Sequence, residues 1–400
     1  MEWIRSIGEY LKKRPGSRTQ TVAADDPYKE VVADFNQFLH QLRTEQIRRM
    51  PPGAKTFLSA GCSGTWYFEW IRDNYGSLDR HVGVEFYSPR PSDLMPEIEW
   101  IQNTVADMHD VCNKEVDLVF SGQNLEHLWP EEVVGFLLES HRVLKEGGWL
   151  IVDSPNRLIT APLGWSHPEH TIEFTPSEAR ELLDIAGFDS IVIRGVWLCR
   201  DPVKKTVLPL PPLASPHEWP YLRRIDSGLN QPDDAFVWWA EARKSERQPN
   251  ADELATRVKT IFSAAWPERI QRLATQIGTK SRDGKTIRAS VGQSGALIFG
   301  PYMPLKSGHY EVIFSVRADT ARLSPETLIC GCDVLSLRRE RIAGRDVFAK
   351  DVSSGSFVDF AVPFDLDVLE FGMQFRIISS GNSRMEAAYS VQLKELESSE

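Results

Sequence analysis

Four small residues and one acidic residue near the start of the chain have the spacing of a nucleoside site. The small residues lie in LSAGCSGTW, between an apolar run and a helix-like segment: Gly61, Cys62, Ser63 and Gly64. Small side chains let the backbone approach a ligand, and the N–H groups of a following helix point toward it. Glu85 ends the next apolar run, HVGVEF, 24 residues after Gly61. An acid at about this distance binds ribose hydroxyls in nucleoside and dinucleotide folds.

Histidines and carboxylates near later apolar runs are candidates for acid–base chemistry. His127 follows the run VDLVFS, and Asp153 and Asn156 lie at the end of the run WLIVDS. His167 and His170 lie in the loop sequence WSHPEHTIEF. Histidine titrates near neutral pH, so we predict His127, His167 and His170 as catalytic residues that accept a proton from a substrate.

Each histidine also has a simpler interpretation. His127 is equally suited to capping a helix or packing beneath one. His167, Glu169 and His170 have the residue types of a metal site, but cations are commonly held by residues from several elements, and we predict no metal. Substrate contact or acid–base chemistry by this loop is preferred, with a structural role as the alternative.

Alternating strand-like and helix-like segments must position these residues. Apolar residues three and four apart predict a helix over 27–50, and the runs KTFLSA, HVGVEF, VDLVFS and WLIVDS predict strands. The segment TPSEARELLDIAG has a Thr cap, a Pro at the first helical position and a closing Gly, which predicts a helix. Strands at SIVIRGVWL and AFVWWAEARK follow. The pattern indicates an α/β domain with a parallel, doubly wound sheet that ends near Lys244.

The last third of the chain has a different pattern. A helix is predicted within residues 245–283, from Leu254, Val258, Ile261, Phe262 and Trp266 at helical spacing. Short β-rich runs separated by Gly, Ser and Asp then follow: ALIFGPYMPL, HYEVIFSVRA, LICGCDVLSL, FVDFAVPF, LEFGMQFRII and AYSVQLKEL. Such runs are typical of an all-β sandwich.

Composition limits which binding partners and which cellular compartment the sequence predicts. A net charge of −10 disfavours extensive binding to nucleic acid, which requires concentrated positive charge. Five cysteines without paired spacing predict neither a disulfide framework nor a zinc site. The sequence lacks a long apolar run and a signal-peptide pattern, which predicts a cytoplasmic protein. Residues 1–18 form a basic amphipathic segment that suits peripheral contact with the inner face of an anionic membrane, or docking on its own domain.

The series of motifs over about residues 50–240 resembles the class I S-adenosylmethionine-dependent methyltransferases, which have a Rossmann-like fold. GCSG resembles the glycine-rich first motif, VGVE the ribose-binding motif, and Ala106-Asp107-Met108 the loop that binds the adenine amino group. VDLVFSGQNLEHLW and HRVLKEGGWLIVDSPNR resemble the fourth- and fifth-strand motifs. Ser59 departs from the family's usual acid and Ser63 from its second glycine, which puts the cofactor affinity in question.

The resemblance implies S-adenosyl-L-methionine as cofactor and a set of residues that bind it: Gly61, Cys62, Ser63, Gly64, Glu85, Phe86, Asp107, Met108 and Ser121. The extent of the resemblance and the changes of pattern after Lys244 together set the predicted domain boundaries. We predict an N-terminal helical segment 1–50, a methyltransferase domain 51–244, a helical linker 245–283 and a β-sandwich domain 284–400.

The C-terminal runs resemble, more loosely, the jelly-roll modules of bacterial glycan-modifying proteins. Tyr302 and Tyr310 are candidates for stacking on sugar rings, although the sandwich core is the preferred place for Tyr310. The two resemblances together predict an O-methyltransferase that acts on a sugar hydroxyl during cell-surface polysaccharide or glycan-precursor synthesis, with a glycan acceptor as partner. The alternatives are a methyltransferase for a small molecule or lipid quinone, and a non-catalytic assembly protein with a degenerate fold.

Overall fold

The computed structural model describes residues 27–208, 221–337 and 341–396. The basic segment 1–18, with its predicted membrane contact, lies outside these described residues. The described chain divides into two compact units. The first contains the residues up to Thr160 together with Glu173–Phe262, and the second contains Ala161–Ile172 together with the residues from Ser263 onward.

The first unit is an α/β structure in which helices alternate with strands. Its strands are β1 Thr56–Ala60, β2 Arg80–Glu85, β3 Ile98–Gln102, β4 Val116–Gly122, β5 Leu144–Pro155, β6 Phe188–Gly195 and β7 Val237–Lys244. Its helices are α1 Pro27–Ile47, α2 Thr65–Tyr75, α3 Pro130–Val143, α4 Arg157–Thr160, α5 Pro176–Ile185 and α6 Tyr221–Leu229, with α7 Ala251–Ile270 continuing into the second unit.

The seven strands form one sheet in the order β3-β2-β1-β4-β5-β7-β6. Strands β1 to β5 run parallel, whereas β7 is antiparallel to both of its neighbours, β5 and β6. Because the strand order reverses between β1 and β4, the segments after these two strands meet at the carboxyl edge of the sheet, where ligands bind in such folds. The predicted Rossmann-like, doubly wound fold is confirmed.

Local sequence signals account for the helix that starts at Pro176. The Thr175 hydroxyl accepts a hydrogen bond from the Glu178 amide at 3.2 Å, and the Glu178 carboxylate accepts one from the Thr175 amide at 2.8 Å. This reciprocal pair satisfies amide donors that the first helical turn leaves free. The helix was predicted from the same residues.

The second unit is all-β apart from the end of α7 and a short 3₁₀ turn in the part of the chain that the structure describes. Its strands are β8 Thr279–Lys280, β9 Thr286–Ala289, β10 Gly295–Ile298, β11 Pro301–Leu305, β12 Gly308–Ala318, β13 Leu328–Leu335, β14 Ala343–Phe348, β15 Val358–Leu366, β16 Glu370–Ser379, β17 Met385–Ala388 and β18 Gln392–Leu396. They form two antiparallel sheets, one ordered β10-β16-β13-β14 with β11 beside β16, the other ordered β15-β12-β17-β9-β8 with β18 beside β12.

Alternate side chains of β12 enter the core of this unit, as period-2 spacing requires. Tyr310, Val312, Phe314 and Val316 are all buried. Tyr310 is only 6% exposed and stacks on Phe364, so it is a core residue rather than an exposed platform for sugars. The all-β fold of the predicted C-terminal domain is confirmed, whereas the jelly-roll relationship stays a prediction.

The segment Ala161–Ile172 belongs to the second unit, whereas the sequence had placed it inside the domain 51–244. The reason is a buried guanidinium. Arg269 donates to the backbone oxygens of His167 at 2.8 Å, Tyr302 at 2.7 Å and Pro301 at 3.1 Å, and also bonds the Ser166 hydroxyl. These bonds fix the segment against strand β11 of the sandwich.

Within the described residues, no helix is both long and apolar enough to cross a membrane.

Candidate functional site

The turn after β1 brings the backbone of Gly61 against the segment that follows β4. Gly61 has φ +76°, its amide donates to the Val84 oxygen at 2.9 Å, and a β-carbon at this position would overlap the Asn124 carboxamide. Asn124 Nδ2 in turn donates to the buried Ser121 hydroxyl at 3.2 Å. Only glycine fits this turn, because both the backbone conformation and the space exclude a side chain.

The rest of the turn divides between core and solvent. Cys62 is fully buried, and burial raises the pKa of its thiol well above the ordinary value, so it is a packing residue and not a nucleophile. Ser63 is exposed. Gly64 caps the N-terminus of α2 without a side-chain hydrogen bond, which leaves the first amides of this helix facing the turn.

Glu85, the last residue of β2, has a carboxylate of fixed orientation. Its Oε1 atom accepts hydrogen bonds from the amides of Tyr87 at 2.9 Å and Ser88 at 3.0 Å. Burial raises the pKa of the carboxyl, and these amides oppose the shift. The rings of Phe86 and Tyr87 are 56% and 62% exposed and meet edge to face beside it. An acid and exposed aromatic rings suit a ribose and a purine base.

Asp107 and Met108, the predicted adenine-binding pair, differ in exposure. The Asp107 carboxylate is exposed and lies 3.0 Å from His109 Nδ1; this hydrogen bond lowers the pKa of Asp107. The Met108 side chain is fully buried, and its amide donates to Glu139 Oε2 at 2.7 Å. The side chain of Asp107 is therefore open to a ligand, whereas that of Met108 belongs to the core.

An ion pair connects α1 to the end of β5. Arg43 donates from Nε to Asp153 Oδ2 at 2.6 Å and from Nη2 to Asp153 Oδ1 at 3.0 Å, and the Asp153 side chain is fully buried. The Arg43 guanidinium also lies 5.2 Å from the centre of the Trp70 ring. Asp153 was a sequence candidate for proton transfer, but both of its carboxylate oxygens are bonded to Arg43, which gives it a structural role.

Glu126 lies with His127 in a 3₁₀ turn, Leu125–His127, just after β4. Burial is the main cause that raises the pKa of Glu126 to about 8, and the negative charges of Asp153 and Glu173 add to it. The His127 side chain is partly exposed. A carboxyl with a pKa near neutrality has the property that a general base requires.

Ser59 occupies the position of the acid that the resemblance leads one to expect. It is buried, and its hydroxyl lies 2.9 Å from His81 Nε2 on the neighbouring strand β2. Burial lowers the pKa of His81 to about 3, so the ring is neutral. The pair is an uncharged hydrogen bond inside the sheet and accounts for the serine as a partner of this histidine.

The remaining candidates fall into two places. Asn156 donates from Nδ2 to the backbone oxygens of Pro232 at 3.0 Å and Ala235 at 3.0 Å, so it holds the connection into β7 rather than a ligand. His167 and His170, in the second unit, are buried and stack with ring centres 4.4 Å apart. Burial raises the pKa of Glu169 between them.

Three residues at the carboxyl edge were not singled out from the sequence: Arg43, Gln123 and Glu126. Glu126 is the neighbour of His127 in the sequence motif, so its residue type could have marked it as a candidate. Its burial could not be predicted from the sequence. Arg43 and Asp153 are 110 residues apart, and nothing local connects them.

Comparison with known proteins agrees with this geometry. Residues 58–152 match the family model described as a methyltransferase domain. A protein of Mycolicibacterium smegmatis named as a probable S-adenosylmethionine-dependent methyltransferase is 30% identical over 145 residues, 35% of this chain and 54% of that protein. One of Mycobacterium tuberculosis with the same description is 34% identical over 104 residues, 26% of this chain and 37% of that protein. The chain thus spans about half the length of the first relative and a smaller share of the second.

Among solved structures, an S-adenosylmethionine-dependent methyltransferase from Archaeoglobus fulgidus aligns with a TM-score of 0.36 at 19% identity, over 51% of this chain and 94% of that one. The sheet order gives the first unit a Rossmann-like fold, and its residues 58–152 match the methyltransferase-domain family model. The cofactor named for the relatives is S-adenosylmethionine. The amides of the Gly61 turn and the carboxylates of Glu85 and Asp107 have the chemistry to bind its amino-acid portion, ribose and adenine, respectively.

Proposed function

We propose that this chain is an S-adenosylmethionine-dependent O-methyltransferase whose acceptor is a sugar hydroxyl in a cell-surface polysaccharide or glycan precursor. The proposal rests first on one relationship, the approach of Gly61 after β1 to Asn124 after β4. It places a glycine turn, the N-terminus of α2 and the acid of β2 around the carboxyl edge of the sheet, where the class binds its methyl donor.

The bound cofactor would supply an electrophilic methyl group. Under the proposal, the Gly61 turn and the amides after Gly64 receive its amino-acid portion, and Glu85 binds the ribose hydroxyls. Asp107 would accept a hydrogen bond from the adenine amino group, and the exposed ring of Phe86 would pack against the base. Cys62, Ser63, Met108 and Ser121 complete the proposed cofactor set, in which Cys62 and Met108 contribute packing and backbone.

Methyl transfer to a hydroxyl would form a carbon–oxygen bond as the methyl carbon–sulfur bond of the donor breaks, with S-adenosylhomocysteine as the leaving group and a hydroxyl proton to be accepted by a base. Glu126, when ionised, is a suitable base because its carboxyl is buried at the edge where β4 ends and its pKa is about 8. His127, adjacent to it, is the second candidate in this unit. His167 and His170 remain proposed acceptor-binding or acid–base residues from the segment 161–172.

Charge and domain composition support a sugar as the acceptor. The net charge of −10 disfavours an anionic nucleic acid. An all-β unit follows the methyltransferase domain, and the resemblance of its strand sequences to the jelly-roll modules of bacterial glycan-modifying proteins supports a sugar by analogy. Tyr310 does not contribute, because it is in the core.

Calorimetric titration of S-adenosylmethionine and S-adenosylhomocysteine tests the cofactor site. We expect micromolar binding by the wild type, its loss in Glu85→Gln, and its retention in Glu69→Gln, a change of the same type at an exposed position of α2. Absence of binding to the wild type would overturn the enzyme proposal and favour an assembly protein.

Transfer of a tritiated methyl group tests the acceptor. The panel contains methyl glycosides, nucleotide sugars, and quinols as representatives of the competing class. Label in the sugars at a rate reduced at least tenfold by Glu126→Gln supports the proposal. Label found only in the quinols would contradict the sugar acceptor and favour a methyltransferase for a small apolar molecule.

A further inference from the structure

Gln123, the residue after β4, has an unusual backbone conformation. Its φ is +56°, in the left-handed region that residues other than glycine rarely adopt. Two hydrogen bonds to Asp153 hold Gln123 in this conformation. The Gln123 backbone amide donates to the backbone oxygen of Asp153 at 2.9 Å, and Gln123 Nε2 donates to Asp153 Oδ2 at 2.8 Å. Strain that is maintained by several contacts is common at functional sites.

The Arg43–Asp153 ion pair fixes the other end of this arrangement. Both Asp153 oxygens are bonded to the guanidinium, and one of them also accepts from Gln123. The space is filled, because a β-carbon on Gly122 would lie 2.7 Å from Arg43 Nη2 and 3.0 Å from Asp153 Oδ1. Asp153 therefore has one orientation, and so has the carboxamide of Gln123.

The orientation leaves one atom of this carboxamide for a ligand. Nε2 faces Asp153, so Oε1 faces the other way, and within the described ranges it accepts no hydrogen bond. Gln123 is partly exposed. Its sequence neighbour Asn124 lies against Gly61 of the cofactor turn, and Glu126 follows three residues later. A carbonyl dipole of fixed orientation thus belongs to the same short segment after β4 that carries the contact to the proposed methyl-donor turn and the proposed base.

We propose that Gln123 distinguishes the charged methyl donor from its uncharged product, with Oε1 directed at the sulfonium group. This rests on the proposed function. A carbonyl oxygen carries partial negative charge, so it attracts the cationic sulfonium of S-adenosylmethionine and has no such attraction for the thioether of S-adenosylhomocysteine. Because the dipole is oriented before binding, no reorganisation opposes the attraction. Arg43 is a positioning residue that acts through Asp153.

The test compares two dissociation constants by calorimetry, for S-adenosylmethionine and for S-adenosylhomocysteine, so it needs no acceptor. Gln123→Gly removes the carboxamide and keeps the backbone, because glycine adopts positive φ without strain. We expect this variant to lose about tenfold in affinity for S-adenosylmethionine, the scale of one hydrogen bond to a charged group, and to bind S-adenosylhomocysteine as the wild type does.

Arg43→Met tests the positioning role, with Arg48→Met, an exposed arginine of the segment just after α1, as its control. Arg43→Met is expected to shift the ratio of the two constants in the same direction, and Arg48→Met to leave it unchanged. If Arg43→Met fails to fold, Gln123→Gly decides alone. A ratio in Gln123→Gly within twofold of the wild-type ratio overturns this inference and leaves the cofactor site standing. A wild type that binds neither compound overturns both.

Discussion

The carboxamide of Asn124 occupies the space that a β-carbon on Gly61 would need. The two residues follow different strands, β1 and β4, and meet because these strands are neighbours in the sheet. A glycine in the turn therefore serves two purposes. It adopts a positive φ, and it lets the segment after β4 close over the turn.

Substituting Gly61 with alanine is expected to damage this contact. Gly61→Ala must displace Asn124 as well as adopt φ +76°, so we expect a loss of at least 2 kcal/mol in the free energy of unfolding, about 1 kcal/mol of it from the backbone. Affinity for S-adenosylhomocysteine should fall in parallel. Gly53→Ala, with φ +90° and no atom within 4 Å, measures the backbone part alone. Equal losses in the two variants would contradict the steric argument.

Glu126 predicts a pH-dependent stability. Burial raises its folded pKa to about 8 from an ordinary 4.5, so between these values the folded protein holds a proton that the unfolded chain releases. The free energy of unfolding therefore decreases as pH rises through this window, by up to about 1.4 kcal/mol per pH unit, and stays low above pH 8. Glu126→Gln should lack this decrease, so its advantage over the wild type grows from pH 5 to 8 in urea unfolding. Parallel curves would refute the assignment.

The Arg43–Asp153 ion pair predicts non-additive substitutions. Arg43→Met leaves a buried carboxylate unpaired, which costs about 3–5 kcal/mol, whereas Arg43→Met combined with Asp153→Asn removes both charges and should recover at least 1 kcal/mol of that loss. Chemical unfolding of the single and double variants measures the coupling. A double variant as unstable as the sum of its parts would show that the pair is not coupled.

The Ser59–His81 hydrogen bond predicts that the serine contributes stability and not cofactor affinity. Ser59→Ala leaves a buried imidazole nitrogen without its partner, so we expect a loss of about 1–2 kcal/mol at pH 7 with S-adenosylhomocysteine binding unchanged. Ser63→Ala, at an exposed position, should keep its stability within about 0.5 kcal/mol. A drop in affinity without a drop in stability in Ser59→Ala would contradict this role.

Arg269 predicts how the segment 161–172 is held. Arg269→Met removes the donors to His167 and Tyr302 oxygens, so we expect destabilisation of about 3 kcal/mol and faster protease cleavage near Trp165. The exposed Arg282 of the same unit provides the control variant, Arg282→Met. If both variants are cleaved at the wild-type rate, other contacts hold the segment.

The sequence predicted the features that depend on local pattern. The Gly61 turn follows an apolar run and Glu85 ends one, and almost all residues of these runs are buried. The helix cap at Thr175 depends only on the four consecutive residues 175–178. Strand β3 was missed because its residues, IEWIQ, form no apolar run; Ile98 alone among them is buried. The predicted parallel sheet was wrong for β7, which is antiparallel to β5 and β6, since a strand's direction is not encoded in its own residues.

The site features that the sequence did not reveal depend on contacts between distant residues. Arg43 reaches Asp153 only because α1 packs beside the ends of β4 and β5. The pKa of Glu126 depends on its burial and on the charges of Asp153 and Glu173. The chemistry of Gln123 depends on its backbone angle, which its residue type would not suggest.

The grouping of residues 161–172 with the second unit means that the polypeptide enters that unit twice, once in passing between α4 and α5 and again after Phe262. The C-terminal sandwich is therefore not a simple appendage. A single breakpoint cannot exchange it for another sandwich, because the backbone oxygen of His167 would lose its donor, Arg269. Recombination between relatives that preserves this protein has to carry two separate stretches of the gene together, and sequence change in the short stretch is constrained by the long one.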